Sequence, residues 1–170
     1  MKQKPPKFDV LDTNDCPYYL VSRAALSMTA GLRKALATSG AERVRPAYLG
    51  VLMCLWKKES IDEALAKLGG AGGMKIAELG RCAGLEPSTM TGVLDRMERD
   101  GLVLREDDPE DRRAQVIRLT DEGSRVRKDV HAAMEAALRE AFGGIGADSC
   151  EEMKGVLRKV LVNTERGSVG

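Results

Sequence analysis

The sequence predicts a mainly α-helical fold with a small β-hairpin, arranged as a winged helix-turn-helix lobe between helical flanks. Three observations carry this. Apolar residues recur at helical spacing at both ends of the chain. Two short helices around a glycine-containing turn occupy the middle. Two β-branched and aliphatic runs separated by a charged loop follow directly. The 170 residues allow one domain with helical extensions and ample chain for a core. A composition 43% hydrophobic and 31% charged is globular, and 4% aromatic residues argue against an aromatic-rich binding sheet.

Residues 1–16 are polar and carry Pro5 and Pro6, an extended N-terminal arm. Residues 17–59 hold two helices. In the first, Leu20, Ala24, Met28 and Leu32 recur every fourth position after Pro17, which suits a helix start, and Ser39-Gly40 ends it. Pro46 opens the second, with Leu49, Leu52, Met53 and Trp56 on one face and Trp56 read as core. At residues 60–73, Ser60 and Glu63 form a capping box. They predict a short extra helix through Ala64, Leu65 and Leu68, stopped at Gly69 and followed by a glycine-rich connector.

The punctuation tightens over residues 74–119. Lys75 to Ala83 reads as a helix with Ile76, Leu79 and Ala83 inward, closed by Gly84. Pro87 starts the next, in which Met90, Val93, Leu94 and Met97 form one buried stripe before Gly101. The runs 102–105 and 115–119 are strand-like, and Glu106 to Ala114 is a charged loop between them. Over residues 120–170, Thr120 caps a long helix bearing Val126, Val130, Ala133, Met134, Ala137, Leu138 and Ala141. A last helix from about Ser149 shows Met153, Val156, Leu157, Val160 and Leu161, an amphipathic stripe.

This middle lobe has the parts of a double-stranded DNA reader: a helix for the major groove and a hairpin for the adjacent minor groove. The outer face of the second helix presents Ser88, Thr89 and Thr91 to phosphates or base edges, Gly92 permits close approach, and Arg96 and Arg99 reach phosphate. Simple capping is the alternative role for Ser88 and Thr89. On the loop, Arg112 and Arg113 follow a run of acids, and one or the other must project past them into the minor groove, with Asp111 orienting a guanidinium or bracing the wing base. An exposed turn of local ion pairs is the alternative there.

The segment Leu85-Glu86-Pro87-Ser88-Thr89-Met90-Thr91-Gly92-Val93-Leu94-Asp95-Arg96-Met97-Glu98, then Gly101-Leu102-Val103, then Asp111-x-Arg113 and Leu119-Thr120, resembles the MarR family of transcriptional regulators over residues 74–125. The helical flanks fit that family's order. The resemblance implies a helical dimerisation domain built from the terminal helices and a homodimer on a pseudo-palindromic operator. It also implies a repressor released by a small aromatic or phenolic effector. It maps Ser88, Thr89, Thr91 and Arg96 to recognition-helix contacts, Arg113 to the minor groove, and Asp95 to an ion pair that braces the wing. Gly92 stands where many relatives carry a larger polar residue. For the effector, Arg23 and Met28 of the first helix with Tyr48, Leu52 and Trp56 of the second are the expected lining; core or dimer packing is the alternative. Cys16, ahead of the first helix, is an alternative redox switch. A thiol at a helix N-terminus is more reactive, although Asp15 opposes this.

Enzyme chemistry has little to stand on. One His131, no nucleophile set, no phosphate loop after Gly-Gly-Ala-Gly-Gly and no metal-ligand spacing leave no catalytic site, no metal and no cofactor. A winged helix used as a protein–protein module is the remaining rival, but it needs neither paired wing arginines nor a hydroxyl-lined helix. Four dispersed cysteines, no run of ~18 apolar residues and no signal-like N-terminus predict a cytoplasmic protein with reduced thiols. The net charge of +1 hides an asymmetry: residues 75–118 carry 8 basic and 10 acidic side chains. That excludes binding by bulk positive charge but leaves room for a few placed contacts.

Overall fold

A computed structural model describes residues 6–65, 73–108, 111 and 114–167. The elements run α1 (Pro17–Thr38), a 3-10 turn (Pro46–Tyr48) leading into α2 (Leu49–Leu65), β1 (Met74–Lys75), α3 (Ile76–Ala83), α4 (Pro87–Arg99), β2 (Val103–Asp107), β3 (Gln115–Leu119), α5 (Asp121–Arg125), α6 (Arg127–Ala141) and α7 (Ala147–Gly167). The chain divides into two compact units, residues 1–137 and 138–170.

The first unit holds the winged lobe. Leu79 of α3, Met90, Val93, Leu94 and Met97 of α4, and Leu102, Val103 and Ile117 of the hairpin are buried together against α2. The predicted α4 stripe is the buried one, because its spacing keeps four side chains on one face. Gly84 and Gly101 close α3 and α4 with φ of +65° and +74°, a region that glycine enters without a Cβ clash. The sheet order is β1-β3-β2, all antiparallel. Its third strand, β1, is an addition to the predicted hairpin. Met74 pairs with Ile117 and Lys75 with Val116.

Several local expectations are corrected. The arm at residues 6–16 is turned rather than extended: the Asp9 carboxylate accepts from the amides of Leu11 and Asp12, and Asp12 accepts from Asn14. Short carboxylates that bond the backbone just ahead make such turns. Ser60 does not start a helix, since α2 runs unbroken to Leu65. Inside an existing helix its hydroxyl finds the carbonyl four residues back, donating to Trp56 O at 3.0 Å, and accepts from Arg127 Nη1 at 2.9 Å. The rest of the proposed insertion, residues 66–72, lies outside the described residues.

Met53 is exposed, while Val51, Leu52, Leu55 and Trp56 are buried, so the core face of α2 is turned by one residue from the predicted one. Trp56 is core and donates from Nε1 to the Gly123 carbonyl at 2.9 Å. The long helix after Thr120 is two helices. Thr120 caps the first by accepting from the Gly123 amide at 3.0 Å, and Val126 breaks the run with ψ −10° where its side chain is buried.

The expectation of reduced thiols is overturned for two of the four. Cys54 of α2 and Cys82 of α3 form a disulfide with their Cα atoms 6.3 Å apart, within the usual span of such bonds. Helix phase brings together residues that lie far apart in sequence. Cys16 and Cys150 are free thiols.

The second unit, residues 138–170, contains the end of α6 and α7. Val156, Val160 and Leu161 stand well exposed along α7, with Met153 and Leu157 partly so. In the first unit, α1 likewise exposes Tyr18, Leu20, Val21 and Leu26. The predicted α7 stripe is left exposed within its unit, whereas the predicted α1 stripe is exposed at Leu20 but packs against the core at Leu32.

Candidate nucleic-acid interface

The candidate surface is the outer face of α4 and the hairpin beside it. Pro87 occupies the first helical position and Glu86 the N-cap, without a side-chain cap bond. Ser88 and Thr89 therefore lie inside the first turn, exposed, rather than at the capping position. Thr91 is exposed and donates its hydroxyl to the Pro87 carbonyl at 3.1 Å. A hydroxyl used this way keeps its oxygen lone pairs for an incoming donor.

Gly92 serves Arg96. A Cβ built on Gly92 would stand 3.5 Å from Arg96 Nη1, so the half-buried guanidinium lies across the bare glycine, one turn back towards the helix N-terminus. Helical side chains lean in that direction. A positive group is thus carried to the same end of α4 as the hydroxyls. Arg99 is exposed and donates Nε–H to the Asp95 carbonyl at 3.2 Å.

The wing is fastened to α4 by one guanidinium. Arg105 on β2 meets Asp95 Oδ1 through Nη2 and Glu98 Oε2 through Nη1, each at 2.6 Å. Asp95 and Glu98 are three residues apart and share a face of α4, so a single planar fork reaches both. Across the hairpin Arg118 Nε meets Glu106 Oε2 at 2.5 Å.

The base of the loop is organised by a residue that the sequence did not single out. Asp108 is 4% exposed, pairs with Lys75 Nζ at 2.7 Å, and accepts from the Asp111 amide at 3.3 Å. Its own amide bonds the Ala114 carbonyl at 3.0 Å, and the Ala114 amide bonds the Asp111 carbonyl at 2.8 Å. The available signal was the Asp-Pro pair at 108–109, a turn initiator. Asp111 thus joins the loop base through its backbone, while its side chain is exposed. Arg112 and Arg113 lie outside the described residues.

The expected effector lining is not brought together. Tyr48, at the end of the 3-10 turn, and Leu52 of α2 are fully buried and Trp56 nearly so, all facing the core; Arg23 is exposed and Met28 half-buried on α1. A cleft of about 520 Å³ opens nearby instead, lined by Thr29, Arg33 and Leu36 of α1 and by Glu42, Val44, Arg45 and Pro46 of the following segment. Beside it the Tyr48 hydroxyl donates to Asp100 Oδ2 at 2.6 Å, and Arg45 Nε stands 3.5 Å from the same oxygen with its guanidinium 5.8 Å from the Tyr48 ring centre. Burial, then the bond to Asp100, raises the Tyr48 pKa above that of a free phenol. Asp100 caps α4, so this cluster ties the start of α2 to the end of the candidate recognition helix.

Cys16 sits at the N-cap of α1, half-buried. Among the described residues no group of three or more His, Cys, Asp or Glu is placed to hold a metal. Among the same residues no helix is long and apolar enough to cross a membrane.

A three-stranded sheet with a helix-turn-helix and a braced hairpin defines a winged-helix protein. Residues 63–114 match the MarR family model, a family whose members are transcriptional regulators rather than enzymes. It is similar to the uncharacterized HTH-type transcriptional regulator YkoM of Bacillus subtilis (strain 168), with 28% identity over 94 residues, 55% of this chain and 61% of that one. The chain therefore spans less than two thirds of that relative's length. Among solved structures it resembles CouR from Rhodococcus jostii RHA1 bound to p-coumaroyl-CoA, with TM-score 0.66, 27% identity, and 88% and 94% of the two chains covered. It shares the fold of Sco3205, a MarR family transcriptional regulator from Streptomyces coelicolor solved in complex with DNA. There the TM-score is 0.69 at 23% identity, covering 86% and 88%.

Proposed function

We propose that this protein is a sequence-specific, DNA-binding transcriptional regulator that acts in the cytoplasm as a homodimeric repressor on a pseudo-palindromic operator. The observation that carries the reading is the rigid pairing of two readers. Arg105 locks the wing to the exposed hydroxyl-bearing face of α4, so helix and hairpin approach a duplex as one body. Ser88, Thr89, Thr91 and Arg96 are assigned to the major groove and its phosphates, and Arg112 and Arg113 to the minor groove. Asp95 and Asp111 are assigned to the brace. The exposed apolar stripes of α1 and α7 support the dimer, since a second copy is the partner that a self-complementary surface selects.

The test is selection from a random duplex pool, followed by gel shift. The expected result is a palindromic site bound by a dimer, with Arg96→Ala and Thr89→Ala each weakening it by about 1–3 kcal/mol. No enriched sequence at any salt concentration refutes the reading.

The cleft beside Arg45 supports a small-molecule effector with an anionic group on an aromatic body. Such a ligand draws Arg45 away from Asp100, loosening the end of α4. Release of operator DNA by aromatic carboxylates, abolished in Arg45→Gln, is the expected outcome. Peroxide titration of Cys16→Ser against wild type separates this route from oxidation at Cys16; a difference between the two curves favours the thiol.

A further inference from the structure

The Cys54–Cys82 bond sits where it can control the candidate recognition helix. The helix α4 is tied to the α2 region at both ends. Beyond its C-terminus, Asp100 is held by Tyr48 at 2.6 Å. Before its N-terminus, Cys82 lies in the last turn of α3, two residues ahead of the left-handed Gly84 that turns the chain into α4. The other end of α3 is held separately, since Lys75 is both its N-cap and a partner of Val116 in the sheet. The disulfide is thus the covalent tie on the helix-turn-helix turn, the segment that aims Ser88 and Thr89.

Helices α2 and α3 are already closely apposed there. A Cβ on Gly50, one turn before Cys54, would lie 3.3 Å from the Ala83 carbonyl. The two residues differ in access: Cys54 is 9% exposed, while Cys82 is on the surface. One end of the bond is therefore more open to attack than the other, the asymmetry that directs thiol–disulfide exchange to one atom.

We propose that Cys54–Cys82 is a reversible redox site, addressed by a dithiol, that clamps the helix-turn-helix turn to α2 when oxidised and frees it when reduced. The dithiol attacks as a thiolate at the Cys82 sulfur. The S–S bond breaks, and the Cys54 sulfur leaves with the electron pair and takes up a proton. The second thiol of the reductant then closes on the mixed disulfide as its own thiolate, forming a cyclic disulfide and releasing Cys82, which is protonated in turn. Two electrons and two protons pass to the protein, and the cyclic disulfide reverses the step. The site is separate from Cys16, and only its effect on DNA rests on the regulator reading above.

The experiment uses the full chain with dithiothreitol and its cyclic disulfide in set ratios. Alkylation and peptide mass mapping give the state of Cys54 and Cys82, and amide exchange is followed in each state. The expected result is interconversion on titration, with exchange about tenfold faster at residues 82–91 in the reduced form and little changed across β2 and β3. Affinity for a duplex selected with the oxidised protein falls about fivefold on reduction. Cys82→Ser, which replaces the sulfur at the more open end, reproduces the reduced values and ignores the titrant. Equal exchange at 82–91 in both states, or a bond that does not re-form in the cyclic disulfide, overturns the clamp. Should no duplex bind in either state, the regulator reading falls while the exchange data still decide the clamp.

Discussion

Replacing Gly123 by alanine tests how the lobe is assembled, because two physical arguments predict opposite signs. Gly123 lies in α5, where helix propensity alone favours alanine by about 1 kcal/mol. The surroundings forbid it. A Cβ there would stand 2.0 Å from the Leu102 carbonyl oxygen and 3.1 Å from the Leu119 side chain, whereas real Cβ contacts do not fall below 3.0 Å. Relief needs a movement of at least 1.0 Å (3.0 − 2.0) between α5 and the turn leaving α4. That movement pulls on three bonds: Trp56 Nε1 to the Gly123 carbonyl at 2.9 Å, the Thr120 amide to the Leu102 carbonyl at 3.1 Å, and the Gly123 amide to Thr120 Oγ1 at 3.0 Å.

Overpacking costs about 1–3 kcal/mol, and stranding a buried donor such as the Trp56 N–H costs about 1–3 kcal/mol more. Against the propensity gain of about 1 kcal/mol, the net loss is about 1–5 kcal/mol. Trp56 is the single tryptophan, so its emission reports on the contact directly. Urea unfolding of Gly123→Ala is expected to show a lower midpoint and a red-shifted folded-state emission. A variant as stable as wild type, with unshifted emission, refutes the close-approach argument.

Other consequences follow from the same geometry. Leu161→Asp on α7 places a charge on the exposed stripe. In a two-fold dimer every loss counts twice, so about 1.5–3 kcal/mol per leucine becomes about 3–6 kcal/mol; sedimentation should then find monomer at concentrations where wild type is dimeric, and an unchanged dimer removes α7 from the interface. Tyr48→Phe is expected to cost about 1.5–3 kcal/mol at neutral pH, since the lost bond is to a carboxylate. With the Tyr48 pKa raised in the fold, wild-type stability is full below about pH 10 and falls above it as the unfolded phenol ionises. Tyr48→Phe lacks that loss, so a wild-type advantage unchanged between pH 8 and 10.5 contradicts the assignment. For DNA, Arg99→Gln should flatten the salt dependence of binding by about 2 per dimer. Arg105→Gln should weaken binding at nearly constant slope, because its charge is already met by Asp95 and Glu98; equal slope changes in the two variants sink that distinction.

What was legible in the sequence had its cause close by along the chain. The α4 stripe, the glycine stops at Gly84 and Gly101, and the Thr120 cap each rest on spacing or on one residue's backbone freedom. The misreadings have tertiary causes. Ser60 carries the same signal inside a helix as at its start, and only the continuity of α2 decides between them. A strand of two residues, β1, has no period to read and exists because β3 offers an edge. Asp108 looked like one acid among several, and its burial goes with Lys75 of β1, which is distant in sequence but pairs with β3 beside the loop. The Cys54–Cys82 bond depends on the phase of two helices that the sequence places but does not orient. Tyr48, Leu52 and Trp56 failed as an open lining for the same reason: their spacing was right for a face, and that face was the core.

The charge balance shows how much that orientation matters. With 10 acids against 8 bases over residues 75–118, the lobe reads as a surface DNA would avoid. In the fold half of those acids have internal work. Asp95 and Glu98 hold Arg105, Glu106 holds Arg118, Asp108 holds Lys75, and Asp100 holds Tyr48 and Arg45. The exposed pairs among these, such as Asp95 and Glu98 with Arg105, contribute little stability one by one. Their value here is positional, because each joins two elements that have to present a single surface. On the α4 face proposed to meet DNA, Asp95 and Glu98 are partly neutralised by their shared Arg105, while Ser88 and Thr89 stand exposed in the first turn. The same arrangement explains why bulk charge is the wrong measure of such a protein. Removing an acid from the brace raises the net positive charge, yet it frees the wing from the helix and so weakens a two-element grip. Asp95→Asn is the sharp case: a pure charge argument has it binding tighter, and the geometry has it binding more weakly.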